Sequence, residues 1–263
     1  MRAHYITDNW EEFKPREYLK GYYSDMTSEN FSLLKFFAES AYEIPEVFSR
    51  EAKLLDFGCG PTVYSVASVA HRVKEIHLCD YSDANLNEVR QWLHNVPDAF
   101  DWHDFIKKAL EFEHQICNRK TEVSEMEIEQ RENLIRHRVS QIFSCDANCS
   151  PPIDYPYSYD VLISTCCADS ATTDKVTWSK YLKNICSLVK PGGTIVLSAL
   201  EEASHYLVGD KAFPAVFLSE KDIEQCLLEE GFTTKNKNFI PASESSSGYK
   251  GIRTILAHKK QVE

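Results

Sequence analysis

The chain has 263 residues, of which 40 are acidic and 29 basic, giving a formal charge of −11; 43% are hydrophobic and 26% charged. That length and apolar content allow a sizeable core without disulfide or metal staples, and the composition is globular rather than disordered. The acidic excess argues against a protein built on a nucleic-acid backbone or anionic lipid, both of which need clustered Lys and Arg. No run approaches the ~18 apolar residues of a membrane span. Met1–Trp10 holds one Arg and no apolar stretch, so a secretory leader is not expected there. The nine cysteines are odd in number and irregular in spacing, and read as thiols of a reducing, cytoplasmic compartment. No Cys/His set has metal-ligand spacing, so no metal is expected.

In chain order, residues 1–50 are aromatic-rich and helical in pattern, with Phe31, Leu34, Phe37 and Ala38 on one side. Strands are expected at Lys53–Phe57 and Glu75–Asp80; the first is nearly all apolar, as suits a strand covered on both faces. Asp83–Asn95 places Leu86, Val89 and Leu93 on one helical face. Residues 101–140 form a long charged insert, read as a solvated helical pair because charge runs coat surfaces. Strands follow at Gln141–Asp146 and Asp160–Thr165. A helix over Lys175–Val189 turns Trp178, Leu182, Ile185 and Val189 inward, and Pro191-Gly192-Gly193 stops it. Then come a strand at Thr194–Ala199, an excursion over 200–218, a Ser/Gly-rich hairpin loop from Ser243 to Gly251 and a last strand at Ile252–Lys259. This alternation is that of an α/β chain with a mainly parallel sheet, and no repeat or linker divides residues 1–263 into two domains.

The most informative stretch is Asp56-Phe57-Gly58-Cys59-Gly60-Pro61-Thr62-Val63-Tyr64, which follows a strand, with Asp80 closing the next strand 22 positions after Gly58. Glycines at a first βα turn let a nucleotide approach the backbone, and a later carboxylate accepts from ribose hydroxyls. A pyrophosphate suits this turn poorly. Val63 stands where a dinucleotide fingerprint has its third glycine, Pro61 lacks an N–H, and Asp56 would repel phosphate. A cofactor with ribose and adenine but no phosphate suits it better. Carboxylates attract the sulfonium and ammonium of S-adenosylmethionine, and Asp146, closing the third strand, can accept from the adenine amino group. Taken singly, each Asp is an ordinary cap or loop carboxylate; three at successive strand ends mark the binding edge of an open α/β sheet.

These residues carry a resemblance. Phe13–Tyr23 (P-R-x-Y-L-x-x-Y-Y), Asp56–Tyr64 (D-x-G-x-G-P-T-x-Y), Asp80–Asn85 (D-Y-S-x-x-N), Ala99–Trp102 (A-F-D-W), Cys145–Asp146, Ser164–Asp169 and Lys190–Gly193 (K-P-G-G) follow one another over nearly the whole chain. In that order they resemble the small-molecule N-methyltransferases that include the nicotinamide, phenylethanolamine, indolethylamine and thioether enzymes. The resemblance implies a Rossmann-like class I methyltransferase: a mostly parallel seven-stranded sheet, helices on both faces and an N-terminal helical lid. It also implies S-adenosylmethionine as cofactor and a small-molecule methyl acceptor. Tyr18 and Tyr23 become lid tyrosines on the methionine side, and Gly58, Cys59 and Gly60 approach that part, with Tyr64 closing its end. Asp80 and Asn85 serve ribose and the adenine surroundings, Tyr81 the adenine face, Asp146 and Ala147 the adenine edge, and Thr165 the amino-acid end.

On the acceptor side the chain departs from these relatives. A carboxylate that the nicotinamide type has at the end of the fifth strand aligns with Ser198. A second acid of the phenylethanolamine type aligns with Ser170, and a nicotinamide-contacting serine with Ala215. Tyr22, Ser170, Ser198, Glu201 and Tyr206 are the candidate acceptor set, with Glu201 or Glu202 as the replacement acid. Tyr18 and Asp169 are the candidates for aligning donor and acceptor. The expected reaction is methyl transfer to an amine or pyridine nitrogen by a monomeric enzyme. A thioether or thiol acceptor, a cofactor-binding pseudoenzyme and a NAD-dependent oxidoreductase are the alternatives.

Overall fold

The apolar run Lys53–Phe57 becomes a central strand, with Leu54, Leu55 and Phe57 buried because helices cover both of its faces. The structure, a computed structural model, describes residues 6, 7, 9–243 and 248–261. Its elements run α1 (Pro15–Tyr23), α2 (Ser28–Glu43), β1 (Lys53–Phe57), α3 (Tyr64–Ala67), β2 (Glu75–Asp80), α4 (Asp83–Leu93), α5 (His103–Ile116) and α6 (Glu125–Arg138). There follow β3 (Val139–Ser144), β4 (Tyr159–Thr165), α7 (Lys175–Ser187), β5 (Val189–Glu201), β6 (His205–Val208), β7 (Lys211–Pro214), α8 (Glu220–Glu229), β8 (Phe232–Pro241) and β9 (Gly251–Lys259).

One sheet has the order β3-β2-β1-β4-β5-β9-β8. Its first five strands are parallel, and β9 runs antiparallel to both β5 and β8. Period-two alternation splits the core cleanly between the faces. Leu54, Val161, Ile163 and Val196 pack with α2, α4, α5 and α6, whereas Leu55, Leu162, Ile195 and Leu197 pack with α7 and α8. From β1 the chain winds outward to β2 and β3, then returns to β4 on the other side. That switch point opens a crevice at the strands' carboxyl ends.

Several expectations need correction. The third strand ends at Ser144, not Asp146, so Asp146 sits in the following loop, where its carboxylate accepts from Asn148 N at 2.8 Å. The helix expected to Val189 ends at Ser187, and Pro191-Gly192-Gly193 do not stop it. They form a bulge inside β5: Tyr159 pairs with Val189, but Val161 already pairs with Thr194. The 101–140 insert is no solvated pair. Helix α5 buries Phe105, Ile106, Ala109, Leu110 and Phe112, and α6 buries Ile128, Arg131 and Ile135. Phe31 is exposed against Phe112, while Leu33, Leu34, Phe36 and Phe37 face the core.

Strands β6, β7 and β8 and helix α8 escaped the sequence reading. Edge strand β8 is largely polar, with lysines that suit a solvated edge; α8 follows a Ser219–Asp222 capping box. The 200–218 excursion holds the β6–β7 hairpin, turned at Gly209 with φ 60°. The loop expected from Ser243 to Gly251 lies outside the described residues over 244–247. All nine cysteines are free thiols, and among the described residues no helix is long and apolar enough to cross a membrane.

Candidate active site

The turn after β1 is held from within the chain. Gly58 N and Cys59 N both donate to Cys79 O at 2.9 Å, so the turn is tied to the end of β2. Gly58 and Gly60 have φ of 70° and 60°, a region that side chains disfavour. A Cβ on Gly58 would also lie 2.1 Å from Cys167 Sγ, so two loops meet here that only glycine allows. Asp80 closes the knot: its Oδ2 accepts from Gly60 N at 2.8 Å, and its Oδ1 from Ser82 N at 2.8 Å and Asn85 Nδ2 at 3.0 Å.

Above these ends lies a cavity of about 380 Å³, within the range of small-molecule sites. Its walls bring together most of the residues singled out from the sequence: Tyr18, Tyr22, Tyr23, Gly58, Cys59, Gly60, Tyr64, Asp80, Tyr81, Asn85, Asp146, Ala147, Thr165, Ser170 and Tyr206. Helix α1 contributes the first three tyrosines. Tyr18 lies 5.0 Å from Tyr22 and 5.7 Å from Tyr23 between ring centroids, and Tyr23 lies 5.1 Å from Tyr64. Burial raises the phenols of Tyr18, Tyr23, Tyr64 and Tyr206 well above the ordinary range and that of Tyr22 to about 12, so this wall is neutral. Tyr22 Oη accepts from Leu207 N at 3.3 Å, joining α1 to the β6–β7 hairpin.

The charge on the walls is one-sided. Glu29, Asp56, Asp80 and Asp146 line the cavity, and among the described residues no Lys, Arg or His does. Burial pushes the Asp56 carboxyl up to about 7, against the hydroxyl of Ser65 that donates to it, and the charge of Asp80 adds to the rise. Burial likewise raises Asp80, opposed by its three donors. Three wall atoms, Tyr64 Oη, Asn85 Oδ1 and Thr165 Oγ1, are buried without a hydrogen-bond partner among the described residues. A ligand bringing hydroxyl or amino donors and positive charge completes such a wall; a pyrophosphate would meet carboxylates with no cation to offset them. S-adenosylmethionine fits this donor and charge pattern.

Four sequence-chosen residues fall outside the wall. Asp169 is buried behind it: its Oδ2 accepts from Leu200 N at 2.8 Å, and burial pushes its carboxyl up to about 6. It anchors β5 and does not face the cavity. Ser198 is wholly buried, with its hydroxyl unpartnered and its carbonyl accepting from Cys166 N at 2.8 Å. Glu201 is taken up by Arg253, at 2.8 Å from both Nε and Nη2, so it does not replace the missing acid. Glu202 pairs with Lys250.

Glu29, Asn30, Tyr181 and Tyr249 line the cavity without having been singled out. Glu29 looks in sequence like a first-turn acid of α2, whose cap is Thr27 Oγ1 accepting from Asn30 N at 3.1 Å. Nothing local signals that it reaches Ser243 and Tyr249.

The model of the NNMT/PNMT/TEMT family matches residues 3–260. The chain belongs to this family. Nicotinamide N-methyltransferase of Homo sapiens is 32% identical to it over 255 residues, covering 94% of this chain and 93% of that protein. Indolethylamine N-methyltransferase of Oryctolagus cuniculus is 32% identical over 264 residues, covering 95% and 94%. Magnesium protoporphyrin IX methyltransferase of Synechocystis PCC 6803 superposes with a TM-score of 0.56 at 12% identity, covering 99% of this chain and 100% of that one, which speaks for the shared fold alone. This family member is an S-adenosylmethionine-dependent methyltransferase of small molecules.

Proposed function

We propose that the chain transfers methyl to a nitrogen of a small organic acceptor, with residues 1–50 as the lid that excludes water. The observation that carries this reading is the cavity at the switch point, with four carboxylates, no basic side chain among the described residues and a tyrosine wall on α1. The cofactor supplies a methyl group already activated on a sulfonium. The protein's work is then alignment and exclusion of solvent, which can supply about 7–11 kcal/mol. Asp80 and Asn85 take the ribose and adenine surroundings, Tyr81, Asp146 and Ala147 the adenine, and Asn85 Oδ1 offers an unfilled acceptor. Gly58, Cys59, Gly60 and Thr165 hold the amino-acid end, with Tyr18, Tyr23 and Tyr64 around it. Tyr22, Ser170 and Tyr206 face the acceptor. Neutral, buried tyrosines supply ring faces that favour a cation and hydroxyls that orient a nucleophile without competing for the methyl group.

Calorimetric titration with S-adenosylmethionine and S-adenosylhomocysteine, followed by a methylation panel of amines, pyridines and thioethers, tests this. Binding of both and turnover of a nitrogen acceptor is the expected result. Turnover of thioethers alone would move the acceptor atom to sulfur, and binding without any turnover would leave a cofactor-binding protein.

A further inference from the structure

Three of the four cavity carboxylates belong to one end. Asp56 and Asp80 stand on β1 and β2, and Asp146 follows β3. Glu29 stands apart from them. It comes from α2, and its two oxygens accept from Ser243 N and, at 2.9 Å, from Tyr249 Oη. Those partners lie between β8 and β9, and β9 is separated from β2 in the sheet by β1, β4 and β5. Glu29 is therefore across the cavity from the three aspartates, on the side where β4 and β5 bring Ser170 and Leu200 to the wall. Both of its oxygens accept hydrogen bonds, as a carboxylate's do, and among the described residues each has one donor, where a carboxylate oxygen can take two. Tyr249 meets it through its hydroxyl, and Tyr22 lines the same cavity.

Resting on the methyltransferase reading above, we propose that Glu29 is the specificity-determining acid of the acceptor side and that it selects acceptors bearing a primary ammonium group. The ammonium is held by Glu29 in a cavity lined with tyrosines, and a carboxylate favours a cation while giving nothing extra to a neutral pyridine or thioether. This supplies, from α2, the negative charge that Ser170, Ser198 and the ion-paired Glu201 do not. Before reaction the ammonium gives up one proton to solvent by way of Glu29. The freed nitrogen lone pair forms the new N–C bond as the C–S bond breaks with its electrons passing to sulfur. The sulfonium charge is quenched, and the product leaves as a methylammonium.

The test uses the full chain saturated with S-adenosylhomocysteine, titrated with benzylamine, phenethylamine and the neutral base quinoline, alongside steady-state methylation of the same compounds. Wild type is expected to bind the two amines more tightly than quinoline. Glu29→Gln is expected to weaken amine binding and raise amine KM by about tenfold or more, with the affinity for S-adenosylhomocysteine and for quinoline unchanged. Tyr249→Phe removes one of the hydrogen bonds that pin Glu29 but keeps its charge, so it is expected to retain the amine preference. Equal losses for amines and quinoline, or the same loss of preference in Tyr249→Phe, would reduce Glu29 to a pin between α2 and the β8–β9 connection and overturn the proposal. Should Glu29→Gln not fold, wild type binding quinoline in preference to both amines overturns it while leaving the methyltransferase reading intact. Failure of wild type to bind S-adenosylhomocysteine at all would remove that reading and this one with it.

Discussion

Replacing Gly58 by Ala separates two penalties that the structure places at one atom. With φ at 70°, any L side chain there enters the left-handed region, at about 1–2 kcal/mol. The new Cβ would also lie 2.1 Å from Cys167 Sγ and 2.6 Å from Cys167 Cβ. The sulfur can swing away, but the Cβ cannot, so either the turn after β1 or the segment after β4 must move, an overpacking cost of about 1–3 kcal/mol. Gly58→Ala should therefore lose about 2–5 kcal/mol of stability, and weaken S-adenosylhomocysteine binding because both segments line the cavity. Cys167→Gly removes both close atoms and leaves only the Cα, at 3.9 Å, an ordinary contact. In Gly58→Ala/Cys167→Gly the steric share should return and the backbone share persist, a coupling of about 1–3 kcal/mol. Urea unfolding of the four proteins of this cycle, with calorimetric titration of each, measures it. Additive losses would show that the two segments do not press on each other and would refute the reasoning.

Asp80→Asn turns an amide NH₂ toward either Gly60 N or the Ser82 N and Asn85 Nδ2 pair, a donor against a donor at about 1–3 kcal/mol. The dissociation constant for S-adenosylhomocysteine should rise about tenfold or more by calorimetry; an unchanged value removes Asp80 from the cofactor site. Asp56 has its folded pKa raised from 3.8 to about 7 by burial, so its contribution to stability is full below about pH 4 and lost as pH rises through 7. Between pH 8 and pH 6 wild type should gain about 1.4 kcal/mol that Asp56→Asn does not, read from denaturant midpoints; parallel curves for the two proteins would contradict the raised value. Glu201→Gln weakens the pair with Arg253, which keeps Glu220 at 3.1 Å, so stability should fall by about 2 kcal/mol. Acceptor KM should not change in that variant, and a raised KM would return Glu201 to the acceptor site.

The amino-acid sequence by itself determined the features that local chemistry writes. β1 and β2 fall at their expected bounds, Lys53–Phe57 and Glu75–Asp80, because apolar runs ended by Gly or Asp have few other readings. The glycine turn and its acids are legible for the same reason, since left-handed backbone and close approach demand glycine wherever they occur. The one-sided charge of the chain, −11 overall, already pointed away from phosphate. Local pattern could not say which carboxylates face the ligand. Asp169, Glu201 and Glu29 are each acids near helix or strand ends. Partners elsewhere in the chain decide that the first serves Leu200 N, the second Arg253, and that the third lines the cavity. Glu29 meets residues 214 and 220 positions away, a separation that only the packing of α2 against the end of the sheet closes. The charged 101–140 insert misled for a related reason: its periodic apolar stripe on α5 is buried by α2 and α3, which the insert's own composition does not reveal. Sequence named the glycine turn and the aspartates at the strand ends; tertiary structure alone brought Glu29 to the same cavity.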